Sequence, residues 1–229
     1  MADSVVQSVS GTSGTFVFSF SKTFGSTTSA GNLLIAVIVW EGGVGVGSVT
    51  DGAGNNYVKA DDVGGFSCAV WYCENALANA GTVTVTSASS AFVVVGLTII
   101  EVAGAPTTGS FDTSNSNSST STTPTTGTIS GTTGQLTIAA LNAVAGASIT
   151  GAGGDWTDLY NVADMDGDIG GAVQYLIDSS NTTYSGDWTL NSSRSYHALI
   201  TSFNTSGGTT VVASWWFYGS HGMGGSTGF

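Results

Sequence analysis

The sequence predicts an all-β protein: an antiparallel β-sandwich, jelly-roll-like and built from two similar halves, with an aromatic and Gly-rich C-terminal tail. Three observations lead there. Apolar residues alternate, or run for five to nine positions, between clusters of Gly, Asn and Ser, and helical periodicity is nearly absent. Charged side chains make up 8% of the 229 residues, against roughly 25% in an ordinary soluble domain. Several short blocks recur at one offset, close to 103 residues.

The same composition excludes function classes. With 15 acidic and 3 basic residues the formal net charge is −12. Lys22, Lys59 and Arg194 cannot neutralise a phosphate backbone, so no nucleic-acid partner is expected. A hydrophobic content of 41% argues against a disordered chain. The most apolar stretches, Leu33–Trp40 and Phe92–Ile100, are eight and nine residues long, whereas a membrane helix needs about 20. They read as buried strands, and no membrane insertion is expected. Met1-Ala2-Asp3-Ser4 shows no basic region before an apolar run, so no signal peptide is expected.

Strands are predicted at Thr15–Ser21, Leu33–Trp40, Cys68–Cys73, Thr82–Thr86 and Phe92–Glu101. Further along they fall at Gln135–Ala140, Ala172–Ile177, Asp187–Leu190 and Tyr196–Phe203. Turn residues separate them at Asp51–Asn56, Gly64-Gly65 and Gly151–Asp155, and Ala76–Ala80 suits a short helical turn. Residues 104 to 133 read as a Ser/Thr/Gly-rich connector whose only charge is Asp112. Cys68 and Cys73, five apart on one strand, point to opposite faces. Their Cα atoms are then about 16 Å apart, too far for a disulfide, so two buried thiols are expected.

The repeat aligns Gly31–Ala36 with Gly134–Ala139 and Ala69-Val70-Trp71-Tyr72 with Ala172-Val173-Gln174-Tyr175. At the same offset Asp61 meets Asp164, and Val85 meets Trp188. The halves then span about 1–104 and 105–206. Neither looks large enough for a generous core of its own. They are therefore expected to share one sandwich, or to pack as two sheets about a pseudo-two-fold.

Gly31–Val37, Val49–Tyr57, Val70-Trp71-Tyr72 and the closing stretch Trp188–Tyr196 followed by Ala198-Leu199-Ile200 form a wider pattern. It resembles a β-sandwich module that recurs in tailed-bacteriophage structural proteins (minor tail, fibre and capsid-decoration proteins) and in bacterial surface proteins. The resemblance covers roughly residues 4 to 206 and rests on turn and core positions. It implies a non-enzymatic virion component whose partners are copies of itself and neighbouring virion proteins. The alternative it leaves is a glycan-binding or adhesin module at a bacterial surface.

Candidate sites are few. Asp164, Asp166 and Asp168 match the start of an EF-hand-type calcium loop, but Ile169 stands where the glycine belongs and Tyr175 where the bidentate glutamate belongs. A solvated acidic turn is the expectation, with no metal and no cofactor. No G-x-S-x-G elbow accompanies His197 or His221, and Glu41, Glu74 and Glu101 sit at strand ends, so no catalytic residue is assigned. Trp and Tyr platforms would suit a glycan, but Trp40, Trp71 and Trp188 fall at core positions. The tail differs. Trp215, Trp216, Phe217 and Tyr218 are consecutive, lie after the module, and precede a Gly-rich end at Phe229. Along a strand they would cover both faces, which suits burial between subunits. These five aromatics are the predicted interface.

Overall fold

The computed structural model describes residues 3–63, 67–144, 148–151, 153–165, 168–178 and 183–206, which form strands and no helix. The first eight strands are β1 (Ser4–Thr12), β2 (Ser19–Thr23), β3 (Leu33–Glu41), β4 (Val46–Asp51), β5 (Val58–Val63), β6 (Cys68–Cys73), β7 (Thr82–Ser87) and β8 (Val94–Ala103). The rest are β9 (Phe111–Ser121), β10 (Ile129–Ser130), β11 (Leu136–Val144), β12 (Ile149–Gly151), β13 (Thr157–Val162), β14 (Ile169–Ile177), β15 (Thr183–Tyr184), β16 (Trp188–Leu190) and β17 (Arg194–Phe203).

Strand β3 explains the arrangement. All eight residues from Leu33 to Trp40 are buried, so both faces of this strand need a covering layer. Its odd face, with Ile35, Val37 and Val39, meets Leu136, Ile138 and Ala140 of β11 and Leu199 and Phe203 of β17. This core lies between two five-stranded antiparallel sheets, ordered β1-β8-β3-β6-β5 and β9-β17-β11-β14-β13. The even face of β3, with Leu34, Ala36, Ile38 and Trp40, packs on Val83 and Val85 of the three-stranded sheet β2-β7-β4. Strand β11 repeats the arrangement. Ala139, Leu141 and Ala143 turn away from the centre onto Ile149, Trp188 and Leu190, which belong to the pair β12-β16. Four layers result, and the two central strands are buried on both sides.

Registers in the two large sheets correspond closely. Ile35 pairs with Tyr72, and 103 residues on, Ile138 pairs with Tyr175. Strand β1 bulges at Val6 against β8, and β9 bulges at Asp112 against β17. Strand β5 bulges at Ala60 against β6, and β13 bulges at Leu159 against β14.

Several expectations need correction. The Ala76–Ala80 stretch is not helical. Asn75 and Asn79 hold φ at 50° and 64°, in the left-handed region that breaks a helix. The stretch is instead tied down by Gly31 N–H to Ala76 O at 2.9 Å and Asn79 N–H to Thr28 O at 3.1 Å. The supposed connector contains the 11-residue edge strand β9. Its polar sequence fits because one rim is solvated, while Asn115 and Asn117 donate to the carbonyls of Thr128 and Thr125. The early residues do own a core: among the described residues the cluster under the three-stranded sheet is built between Val9 and Ile99. Asp61 does not correspond to Asp164, because Asp61 pairs with Val70 while Val173 pairs with Tyr160.

The central core joins both large sheets, so it ties their unfolding together. Ile35→Ala should cost about 2–5 kcal/mol in urea denaturation followed by tryptophan fluorescence. The transition should remain single; two resolved steps would contradict this coupling.

Candidate functional site

A cleft of about 650 Å³ opens at the pole where the described chain reaches Ser206. Its walls are the turn Ala105–Gly109 and the segment Asn204–Ser206, with Thr132 and Gln135 beneath. The geometry follows from local hydrogen bonds. Ser110 donates its hydroxyl to Pro106 O at 2.6 Å and its N–H to Glu74 Oε2 at 2.8 Å, closing the turn. Gly109, at φ 68°, supplies the left-handed residue that lets the chain reverse. Asn204 donates to Gly109 O at 3.0 Å, and Ser206 N–H donates to Gly104 O at 2.8 Å. The buried Gln135 amide donates to Asp112 Oδ2 at 2.8 Å, and the Ser202 hydroxyl donates to the same oxygen at 3.1 Å. Among the described residues no histidine, cysteine or charged side chain lines the cleft. It offers hydroxyls, amides and carbonyls, a surface suited to neutral polar groups or an extended backbone.

Behind it lies Asp3, buried at the start of the chain, with its N–H on Gly134 O at 3.1 Å. Neither carboxylate oxygen makes a hydrogen bond of normal geometry. Burial pushes its pKa up to about 7, and the nearby Leu136 amide offsets this only in part.

The sequence-predicted sites fare as follows. Trp215, Trp216, Phe217, Tyr218, Phe229 and His221 lie outside the described residues. So does Asp166, between Asp164 and Asp168, and no group of three metal-type ligands occurs among the described residues. His197 sits in β17 with Nδ1 2.8 Å from Ser118 Oγ, its cross-strand partner. Burial lowers its pKa, so the ring is neutral at pH 7. Glu74 and Glu101 are not brought together. Glu101, fully buried in β8, accepts from Gln7 at 2.6 Å and from Ser29 N–H and Asn32 at 2.7 Å each. Cys68 faces the central core and Cys73 the outer one; both thiols are free, and burial raises their pKa values. Trp40 and Trp188 are buried, and Trp71 and Trp156 are half-buried at core margins.

Two aromatics were missed. Phe16 and Phe18 are 70% and 66% exposed, while Val17 between them and Phe20 beyond pack inward. Alternation alone puts all three Phe side chains on one face. A bend at Phe18, before β2 begins, reverses the phase, and no residue pattern announces it.

No family model matches this chain, and no curated protein or solved structure matches it either.

The interior of the later layer carries a polar burden. Gln174 is fully buried and neither its amide nitrogen nor its oxygen has a partner; Thr137 Oγ1 and Trp188 Nε1 are in the same condition. By strand alternation Gln174 and Thr137 face the layer that holds Ala172, Ala139 and Trp188. Gln174→Met should therefore raise the unfolding free energy by about 1–3 kcal/mol, measured by urea denaturation.

Asp3 generates a pH prediction. Its folded pKa lies above the unfolded value, so the stability it permits is full below about pH 4 and is lost as pH rises through about 7. Asp3→Asn should melt higher than wild type at about pH 8 and like wild type at about pH 3.5. Equal melting temperatures at both pH values would contradict the assignment.

Proposed function

We propose that this chain is a non-enzymatic structural protein of a tailed-phage virion, attached to its neighbours through residues 207–229. The observation that carries the proposal is the run of aromatics that follows the described cores. Among the described residues the buried apolar clusters are built between Val5 and Phe203, and Trp215, Trp216, Phe217 and Tyr218 follow them in the sequence. Four consecutive aromatics beyond these clusters suit burial against a neighbouring subunit.

The body of the protein, on this reading, is a duplicated jelly-roll module. The support is topological. Strands β1, β8, β3 and β6 share one sheet and β2, β7 and β4 the other, the order produced by winding a folded-over ribbon, with β5 moved to the larger sheet. Strands β9, β17, β11 and β14 follow the same order, with β13 moved likewise. The bulges at Val6 and Asp112, and at Ala60 and Leu159, occupy corresponding places. Bulges are retained within families as features of a fold, so shared ones favour duplication over chance.

Minor tail, fibre and capsid-decoration roles all suit such a module. Glycan binding is the weaker reading, because the four described tryptophans are buried or half-buried rather than offered as platforms.

Deleting residues 207–229 should leave a folded protein with an unchanged melting temperature that sediments as a monomer, whereas the full chain assembles. Assembly by the truncated protein at the full chain's concentration dependence would overturn the proposal.

A further inference from the structure

We infer that the free edge of β2 is a pairing site for β2 of a second copy, the two three-stranded sheets joining antiparallel into one about a two-fold axis. The inference does not depend on attachment through residues 207–229.

Edge strands present unpaired main-chain groups to other chains, and a bulge is one device that blunts them. In the three larger sheets the edge strands β1, β5, β9, β13 and β4 each contain a bulge. Strand β2 is the remaining edge, and it pairs with β7 in unbroken register from Ser19↔Thr86 to Thr23↔Thr82. Two bonds flanking this run fix its phase. Ser87 N–H donates to Phe18 O at 2.9 Å, and Phe24 N–H donates to Gly81 O at 3.0 Å. Main-chain groups alternate in direction along a strand, so Phe20 and Lys22 also address β7. Ser19, Ser21 and Thr23 then turn their N–H and C=O groups away from it. All three residues are exposed, and among the described residues no hydrogen bond takes these outward groups.

A second β2 fits this edge. Antiparallel pairing centred on Ser21 sets Ser21 opposite Ser21 of the second copy, and Ser19 opposite Thr23 of the second copy. In each such pair both residues direct their groups at the seam, so each pair exchanges two hydrogen bonds. The contact is isologous and closes on itself. The Ser21 and Thr23 hydroxyls, 2.8 Å from the Thr84 and Thr82 hydroxyls, keep those partners. On the other face Lys22, 5.3 Å from the centroid of its own Phe20 ring, comes opposite Phe20 of the second copy.

Charge favours a second copy at this place. Each chain carries −12, so most approaches of two copies are repulsive. In the three-stranded sheet the charged residues are Lys22 and Asp51, and Asp51 lies on the far strand β4. Two copies meeting at β2 therefore bring no carboxylate of this sheet to the seam. Five residues a side make a small contact, well under the roughly 1,000 Å² of a stable interface. It orients neighbours held together by other means, and in dilute solution it is transient and has to be trapped.

The test is disulfide trapping in the full chain, with Ser19→Cys, Ser21→Cys and Thr23→Cys made singly, oxidised in air and read on non-reducing gels. Opposed residues of a hydrogen-bonded pair have Cα atoms about 5.5 Å apart, within reach of a disulfide. Ser21→Cys faces itself across the axis, so it should link into dimers about ten-fold or more faster than Ser19→Cys or Thr23→Cys alone, because pairing raises the effective thiol concentration. An equal mixture of Ser19→Cys and Thr23→Cys should link well above either variant by itself. Wild type, whose Cys68 and Cys73 are buried, should stay unlinked. Adding Ser21→Pro to both members of the mixture removes the central outward N–H, leaves the bonds to β7, and should abolish the gain. Equal linking rates for the three single variants, no linking above wild type, or a mixture no faster than its members would each overturn the inference. Should the proline variant melt low, the comparison of the single variants and their mixture decides.

Discussion

Burial of β3 and β11 on both faces is the constraint from which the layers follow. A strand with no solvated face must be sandwiched, and the runs Leu33–Trp40 and Leu136–Ala143 are such strands. Each fully buried aliphatic side chain contributes about 1.5–3 kcal/mol relative to exposure, so leaving either face open would forfeit several of these. The large sheets cover one face of each central strand by meeting one another. The other face needs the three-stranded sheet on one side and the short pairs β10-β15 and β12-β16 on the other. Loops, edges and poles take their places around this stack.

The two outer layers achieve their covering differently. The earlier one is apolar, with Trp40 donating its indole N–H to Val44 O at 2.6 Å and packing edge-on to Phe92. The later one, among the described residues, is smaller and keeps Gln174, Thr137 and the Trp188 indole inside without partners. Trp71 pairs with Ala36 in one large sheet, and 103 residues on Gln174 pairs with Ala139 in the other. The two outer layers therefore differ in whether their buried polar atoms find partners.

Scarcity of charge shapes the surface as the apolar strands shape the interior. The acidic residues that remain are often absorbed by local bonds. Asp51 accepts from Ala53 and Asn55 N–H groups at 3.0 and 3.1 Å and so folds its own turn, Asp61 accepts from Ser114 across the sheets at 2.6 Å, and Asp112 braces the polar cleft. The sole ion pair among the described residues joins Lys59 and Asp62 within one strand. The remaining described surface is largely hydroxyl and amide, with Phe16 and Phe18 exposed.

The sequence alone determined the all-β class, because alternation and short apolar runs between turn residues have no helical solution. It also located β3, β6 and much of β7, β8, β11, β14, β16 and β17, where apolar side chains mark the faces. The placing of Cys68 and Cys73 in different cores followed from their odd spacing, and the burial of Trp188 from its match to Val85. Polar strands stayed hidden. Strand β9 reads as Ser and Asn because it is an edge, and β1, β4, β5 and β13 carry too few fully buried residues to stand out. Only the tertiary structure decided that the early residues close a core of their own, since that depends on which sheet β7 joins. It alone turned Phe16 and Phe18 outward. The reason is common to both: facing is set by long-range pairing and by bends between strands, and periodicity within one segment carries no information about either.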